Sequence, residues 1–304
     1  MTHRTGTWEP TVGAVLVGEG LHAGYPGRGD VLDCAHVSVT GRSRLALLGE
    51  NGSGKTTLLR CLSGAHVPDA GSVAVDGITL RHDNAGLRDH RQRVQLVLQD
   101  PDDQLFSADV RADVSFGPIN LGLDDHEVRA RVSEALELLD VVDLADRPVH
   151  QLSYGQRKRV AIAGAVAMRP QVILLDEPTA GLDPRAVTTL RAALDNLEAR
   201  GTTVVVSTHD IDFAWEWADE VGVVVDGIVH QGSTVKIMTD EALLRRAHLG
   251  VPWPVKPLRS LGHEIDVVDP PRTVAAPARF LGCAAPRLSR DRGRVRRGSA
   301  GESR

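Results

Sequence analysis

The sequence contains the stretch Gly49-Glu50-Asn51-Gly52-Ser53-Gly54-Lys55-Thr56, which matches the pattern G-x-x-x-x-G-K-[ST]. A short apolar run at 44–48 precedes this stretch, and a helical pattern at 55–62 follows it. Glycines let the backbone curl until several N–H groups face one anion, and the N-terminus of the helix adds partial positive charge. The stretch therefore predicts a phosphate-binding loop that joins a strand to a helix and holds a nucleoside triphosphate.

The polar side chains of this loop have separate expected tasks. Lys55 supplies a cation for the β- and γ-phosphates, and the Thr56 hydroxyl can ligate Mg²⁺. The residues predicted to bind nucleotide in this segment are Gly49, Asn51, Gly52, Ser53, Gly54, Lys55, Thr56 and Thr57. The loop alone indicates a nucleotide site and does not specify the reaction.

A second apolar run, at 172–175, ends in two carboxylates, Asp176 and Glu177. Beside a phosphate-binding loop, the first carboxylate would lie near the magnesium ion. The second could then polarise the water that attacks the γ-phosphate. For an isolated strand, a solvated acidic turn would be the better interpretation, but the phosphate loop upstream favours a hydrolytic site.

Strand-like and helix-like patterns alternate over the first 230 residues. The predicted strands are 44–48, 94–98, 172–175 and 203–207, and the predicted helices include 55–62, 124–139 and 184–200. Near-continuous apolar strands are typical of a parallel sheet that is covered on both faces. The alternation therefore predicts an α/β fold. Asp124 stands three residues before Glu127 and predicts a capping box at the start of one helix.

The composition is that of an ordinary globular protein, with 42% apolar and 25% charged residues. No apolar run approaches the length of a membrane span. The three cysteines are far apart and predict neither a disulfide framework nor a structural zinc site, which favours a reducing cytosol. Nine arginines and two acidic residues follow position 271, so the rest of the chain is acidic and no nucleic-acid partner is expected.

Together with further elements, these motifs resemble the ATP-binding cassette (ABC) family. Leu152-Ser153-Tyr154-Gly155-Gln156 is similar to the family's signature loop, and Ala180-Gly181-Leu182-Asp183 is similar to the D-loop that follows its catalytic glutamate. Gln99 stands where the family has its glutamine loop, His209 where it has its switch histidine, and Tyr25 where an aromatic ring packs on adenine. All of these elements occur in the family's order.

The resemblance implies a P-loop NTPase (RecA-like) core with an antiparallel β subdomain and a helical signature subdomain. It also implies ATP and Mg²⁺ as cofactors, with Thr56, Gln99 and Asp176 around the magnesium ion. In the family pattern, Glu177 would be the general base and His209 would position the γ-phosphate.

A head-to-tail dimer with a second ABC ATPase, identical or paralogous, is a further implication. Each ATP would touch the phosphate loop of one subunit and the signature loop of the other, while Asp183 would stand in the D-loop. Two residues depart from the family pattern: Glu50 replaces the usual proline of the phosphate loop, and Tyr154 replaces the first glycine of the signature. We expect Tyr154 to have an ordinary backbone conformation and a ring that points outward.

The segments 97–106, 113–118 and 157–164 resemble one branch, the ATPases of energy-coupling-factor importers, and particularly cobalt and nickel uptake subunits. The branch implies ATP hydrolysis that powers uptake of Co²⁺, Ni²⁺ or a vitamin, at the cytoplasmic face of the cell membrane. Its implied partners are a transmembrane coupling subunit and a membrane substrate-binding subunit. The alternative is a soluble ABC-type ATPase of metal-cluster assembly or another process without transport.

The predicted organisation has four parts. Residues 1–12 form an N-terminal extension, 13–235 the nucleotide-binding domain and 236–268 a short C-terminal extension with one helix predicted at 239–248. Residues 269–304 are rich in Arg and Pro and are predicted to be disordered.

Overall fold

The computed structural model describes residues 9–27 and 29–256 of the chain. The predicted tail at 269–304 and the end of the predicted extension at 236–268 lie outside the described residues, as do residues 1–8. Within the described ranges, no helix is both long and apolar enough to cross a membrane.

Two sheets and a set of helices make up this part of the chain. The strands are β1 (Ala14–Tyr25), β2 (Gly29–Thr40), β3 (Arg44–Leu48), β4 (Ala70–Val75), β5 (Ile78–Thr79), β6 (Val94–Val97), β7 (Val172–Asp176), β8 (Thr203–Thr208), β9 (Glu220–Val225) and β10 (Ile228–Ser233). The helices are α1 (Lys55–Leu62), α2 (Asn84–Arg93), α3 (Val110–Asn120), α4 (Asp125–Leu138), α5 (Tyr154–Val166), α6 (Pro184–Ala199), α7 (Ile211–Trp217), α8 (Thr234–Met238) and α9 (Glu241–Arg246).

The central sheet has six strands in the order β10-β9-β3-β8-β7-β6. Five of them run parallel, and β10 pairs antiparallel with β9 at one edge. Every residue of β7 is buried, and successive side chains enter cores on opposite faces: Ile173 on one face, Leu174 on the other. This arrangement explains the near-continuous apolar runs, because each face of the sheet is covered.

The second sheet is antiparallel, with the order β2-β1-β4-β5. Its inner face packs Leu16 and Leu21 in the same core as Leu58 and Leu62 of α1, the helix that follows the phosphate-binding stretch. Gln231 in β10 connects the two sheets, since its side-chain oxygen accepts from the backbone N–H of Ser38 in β2 at 3.0 Å. The antiparallel sheet thus packs against the apolar side of α1.

Helices α3, α4 and α5 form a helical region between β6 and β7. Asp124 caps α4 as predicted, because its carboxylate accepts from the backbone N–H of Glu127 at 2.9 Å. The reciprocal half of the predicted capping box is replaced by ion pairs, since the Glu127 carboxylate lies 2.8 Å from Arg131 and 3.0 Å from Arg169. The predicted hydrogen bond from the Glu127 side chain back to the backbone of Asp124 is therefore wrong. The Glu127 carboxylate pairs with Arg131 and Arg169 instead.

One helix, α9, lies within the segment predicted as a single helix at 239–248, with shorter bounds. It begins after Asp240, whose carboxylate accepts from the N–H groups of Ala242 and Leu243, and a separate short helix, α8, precedes it. Helix α8 spans the predicted domain boundary at 235 and buries Met238 in the core. The boundary itself stays a prediction.

Candidate active site

The carboxyl ends of the parallel strands bring the predicted motifs to one edge of the sheet. Strand β3 leads into the phosphate-binding stretch, β7 ends at Asp176, and β8 leads to His209. In the ladder between β7 and β8, Asp176 lies opposite Ser207. Parallel α/β sheets place their ligand sites at this end.

The loop 49–54 is built so that a phosphate can approach its backbone. Gly52 and Gly54 have φ values of 87° and 108°, a left-handed conformation that favours glycine. A Cβ on Gly49 would lie 2.7 Å from the carbonyl oxygen of Val224, so a larger residue cannot fit there. The hydroxyl of Ser53 is buried and makes no hydrogen bond within the described residues, which leaves a donor for an anion.

Lys55 is 6% exposed, and its ammonium lies at the centre of the site. The Nζ atom donates to the carbonyl oxygens of Gly49 at 2.8 Å and Glu50 at 3.2 Å, and it lies 3.4 Å from Oε1 of Glu177. The cation therefore stands between the loop and the carboxylate that follows β7. From this position it can balance the charge of a bound phosphate.

Thr56 and Asp176 offer a pair of oxygens that suits magnesium. The Thr56 hydroxyl donates to Oδ2 of Asp176 at 2.7 Å, and the Ser207 hydroxyl donates to Oδ1 at 2.6 Å. Hydroxyl and carboxylate oxygens, completed by waters and phosphates, are the usual surroundings of Mg²⁺. The residues present therefore fit the ion.

Glu177 is 6% exposed, and its two carboxylate oxygens have different surroundings. Oε2 lies 3.0 Å from Nδ1 of His209, whereas Oε1 makes no hydrogen bond within the described residues. The backbone is left-handed, with φ at 45°, and its N–H donates to the hydroxyl of Ser207 at 2.9 Å. Oε1 is paired with Nζ of Lys55 at 3.4 Å, and a buried carboxylate beside a phosphate-binding loop can accept a proton from water.

A cleft of about 790 Å³ connects these groups. Its walls are formed by Tyr25, Pro26, Val31, Asn51, Gly52, Gly54, Lys55, Thr56, Thr57, Arg60, Gln99 and Glu177. The Thr57 hydroxyl donates to the hydroxyl of Tyr25 at 3.4 Å, and the Tyr25 ring lies 5.1 Å from that of His66. The structure thus gathers the predicted phosphate loop, aromatic residue, glutamine and base around one space.

The signature stretch 152–156 lies outside the walls of that cleft. Ser153 caps α5, and its side chain and that of Gln156 form a complete capping box. The N-terminus of this 13-residue helix carries partial positive charge. Asp183 plays the same capping part for α6, since its carboxylate accepts from the N–H of Ala186 at 2.8 Å.

Comparison with known proteins agrees with this geometry. The model of the ABC transporter family matches residues 32–180. An ABC transporter ATP-binding protein of Streptomyces coelicolor is 52% identical over 263 residues, which span 86% of this chain and 93% of that relative. The chain belongs to the ABC family of transporter ATPases. The family resemblance drawn from the motifs is confirmed.

Two further relatives of the ABC protein carry more specific names. The cobalt import ATP-binding protein CbiO of Rhodobacter capsulatus is 49% identical over 78% of this chain and 85% of its own length. The energy-coupling factor transporter ATP-binding protein EcfA of Methanosphaera stadtmanae is 42% identical over 79% of this chain and 86% of its own length.

Solved structures confirm the predicted fold class. CbiO1 of Clostridium perfringens, described as part of the ABC transporter complex cbiONQ, aligns with a TM-score of 0.70 and 37% identity over 81% of this chain and 99% of that one. A dimeric ATP-binding cassette bound to ADP and Pi aligns with a TM-score of 0.65 and 27% identity over 72% of this chain and 98% of that one.

One expectation about the signature of this ABC protein was wrong. Tyr154 opens α5 with an ordinary backbone, but its ring does not point outward. It lies against Gly181 of the D-loop, and its hydroxyl donates to the carbonyl oxygen of Gln99 at 3.4 Å. The absence of a side chain at Gly181 leaves room for the ring, so the tyrosine packs within its own subunit.

Sequence reasoning missed two residues of the site, Ser207 and Lys158. The signal for Ser207 was a small polar residue at the end of an apolar strand beside the strand that ends in Asp176. The signal for Lys158 was a cation on the apolar side of a helix, at a position that is 4% exposed. Burial lowers the pKa of Lys158 to about 8, against the opposing pull of nearby Glu177.

Proposed function

We propose that this chain is the ATP-hydrolysing subunit of an energy-coupling-factor type importer that takes up a small nutrient across the cytoplasmic membrane. Co²⁺ or Ni²⁺ is the preferred cargo, with a vitamin as the other candidate. The observation that carries the proposal is the site itself, in which Lys55, Thr56, Asp176, Glu177 and His209 converge. The names of the CbiO and EcfA relatives support the importer branch and the cargo.

Hydrolysis would begin with a water held against the Glu177 carboxylate. The water oxygen attacks the γ-phosphorus, its proton passes to the carboxylate, and the bond between the γ-phosphorus and the ADP oxygen breaks. Lys55 balances the charge on the phosphates, and His209 orients the water and the γ-phosphate. Bound Mg²⁺, held by Thr56, Asp176 and Gln99, would neutralise the charge that develops on the β- and γ-phosphates.

The second half of the nucleotide site would come from another subunit. Ser153, the Gly155 amide and the N-terminus of α5 are groups suited to a γ-phosphate, yet they lie outside this chain's own cleft. A head-to-tail pair with an identical or paralogous ATPase would bring them to the partner's ATP. The dimeric cassette bound to ADP and Pi supports such a pair.

The membrane partner would dock beside the glutamine loop. A groove of about 530 Å³ lies between α2, α3 and α5 and is lined in part by Phe106 and Phe116. The two rings meet edge to face at 4.7 Å and remain 65% and 49% exposed, and Ile119 nearby is 58% exposed. A groove that combines exposed aromatic rings with polar side chains suits an amphipathic helix of a transmembrane coupling subunit. This docking would hold the ATPase at the cytoplasmic face of the membrane.

The test is a tagged pull-down from detergent-solubilised native membranes, with the co-purifying proteins identified by mass spectrometry. We expect a transmembrane coupling subunit together with a small substrate-binding membrane protein. Phe116→Asp is expected to lose both proteins while it still binds ATP, because the change lies outside the nucleotide cleft. Purification with cytosolic partners alone would overturn the importer and favour metal-cluster assembly.

Uptake of radioactive Co²⁺ and Ni²⁺ by cells with and without the chain then identifies the cargo. We expect the absence of the chain to reduce uptake of one of these ions. Unchanged uptake of both would exclude a metal cargo and leave the vitamin.

A further inference from the structure

Lys158 lies on the buried side of α5, close to the proposed general base. Its Nζ atom donates to the carbonyl oxygen of Glu177 at 2.8 Å and to that of Pro178 at 3.1 Å. These carbonyls belong to the loop that follows β7 and contains the proposed base. A buried ammonium is costly, so a lysine kept at a 4% exposed position calls for a reason beyond packing.

The backbone of Glu177 supplies that reason. Its φ of 45° is unfavourable for a residue with a side chain, and such a conformation persists only where the surroundings hold it. On one side, its N–H donates to the carbonyl oxygen of Ser207 at 3.1 Å and to the Ser207 hydroxyl at 2.9 Å. On the other side, its carbonyl oxygen accepts from Lys158. Hydrogen bonds from Ser207 and Lys158 therefore fix the peptide groups on both sides of Glu177.

Tyr154 stands one helical turn before Lys158 on the same face of α5. Its ring centroid lies 5.4 Å from Nζ of Lys158, a distance at which the ring face attracts a cation. The ring also covers Gly181, where an added Cβ would lie 3.1 Å from a ring carbon. Through its hydroxyl, the tyrosine reaches the Gln99 carbonyl. One turn of α5 thus contacts two loops of the hydrolytic site, the loop 177–181 and the loop at Gln99.

We propose that Lys158 and Tyr154 are positioning residues for ATP hydrolysis. They fix loop 177–181 to the first turns of α5, so that the position of the signature helix sets the position of the base in the same chain. The N-terminus of that helix would face the partner's nucleotide. The pair therefore connects the two ATP sites of the dimer through the body of one subunit. The inference rests on the proposed function, since it takes Glu177 as the base.

The first test compares Lys158→Met with the parent protein. Methionine keeps the length of the side chain but has no N–H to donate. We expect kcat to fall at least tenfold while the Kd for a fluorescent ATP analogue stays within twofold, because the cleft walls are unchanged. Lys236→Met, at an exposed lysine, is the matched control and is expected to keep both values. Lys158→Arg retains the charge and N–H donors and is expected to recover part of kcat.

The second test uses Tyr154, which is only half-buried and therefore tolerates change. Tyr154→Phe keeps the ring and is expected to hold kcat within twofold. Tyr154→Gly restores the residue usual in the signature and removes the ring, and we expect kcat to fall at least threefold with an unchanged Kd. If Lys158→Met does not fold, the comparison of Tyr154→Phe with Tyr154→Gly tests the positioning role by itself.

Glu177→Gln is measured alongside these variants. If it is inactive while Lys158→Met, or in its place Tyr154→Gly, hydrolyses ATP at the parent rate, the positioning role is overturned and the proposed function stands. If Glu177→Gln itself turns over normally, the proposed base is wrong whatever Lys158 does. A raised Kd for the ATP analogue in Lys158→Met, with kcat at saturating ATP unchanged, would also overturn the positioning role.

Discussion

The Nδ1 atom of His209 lies 3.0 Å from Oε2 of Glu177 and joins the ends of two neighbouring parallel strands. The histidine side chain is 59% exposed, whereas that of the glutamate is 8% exposed. An accessible imidazole therefore contacts a buried carboxylate whose other oxygen, Oε1, lies 3.4 Å from Nζ of Lys55. His209 on one side and Lys55 on the other fix the orientation of the carboxylate.

The first prediction follows from this contact. His209→Ala is expected to lower kcat by about 100-fold or more, the contribution typical of a positioned acid–base group. The Kd for ATP is expected to stay within about threefold, since His209 does not line the nucleotide cleft. Phosphate release and fluorescent-ATP titration measure the two quantities. An unchanged kcat would show that the contact has no part in turnover.

The second prediction concerns Ser207, whose hydroxyl donates to Asp176 and accepts from the Glu177 N–H. Ser207→Ala removes one hydrogen bond from each of these buried groups, while the Glu177 N–H keeps the Ser207 carbonyl, and is expected to cost about 1–3 kcal/mol in the free energy of unfolding. Chemical denaturation measures this loss. Ser115→Ala, at a partly exposed helical serine, is the control and is expected to cost far less. Equal stabilities of the two variants would contradict this role for Ser207.

The third prediction is a pH dependence that arises from Lys158. Burial lowers the pKa of this lysine from 10.5 to about 8 in the folded chain, so between those values the unfolded chain holds the extra proton. The contribution of this site to the free energy of unfolding is therefore complete above pH 10.5. It is lost progressively as the pH falls from there through about 8.

The comparison with Lys158→Met isolates that effect, because both proteins share every other titrating group. From about pH 7.5 to about pH 9.5, the free energy of unfolding of the parent is expected to rise by roughly 2 kcal/mol relative to the variant. Denaturant titrations at several pH values provide the measurement. A difference that stays flat across this range would mean that the lysine is not desolvated.

The fourth prediction distinguishes two cysteines. Burial raises the pKa of the Cys61 thiol to about 12, whereas Cys34 is exposed. Because the thiolate is the reactive form, Cys34 is expected to react with iodoacetamide near pH 8 while Cys61 stays unmodified until the chain is unfolded. Peptide mapping by mass spectrometry detects each site. Rapid labelling of Cys61 in the folded protein would contradict its burial in the core.

Local patterns were enough to predict most of the sheet and its helices. The helix 55–62 and the strand 44–48 have the predicted bounds, because an apolar run and a glycine loop define both ends. The helix at 239–248 was harder, since Asp240 could lie inside a helix or begin one. Only the packed chain shows that it begins one.

The motifs also named most groups around the cleft, because each motif is contiguous and its chemistry is local. Ser207 and Lys158 were missed because their partners lie 31 and 19 positions away in the chain. The direction of the Tyr154 ring depended on the space left by Gly181, which is a tertiary contact. Pairings between separate motifs are therefore what the sequence alone did not reveal.

Phosphate release by Glu177→Gln, measured beside ATP binding, tests the central claim most directly. Glutamine has nearly the same shape as glutamate but cannot accept the proton of the attacking water. The account predicts a rate at least about 100-fold below that of the parent, with ATP still bound and a dimer accumulating on gel filtration in ATP. Phosphate release at the parent rate would contradict the account, because Glu177 could not then be the base.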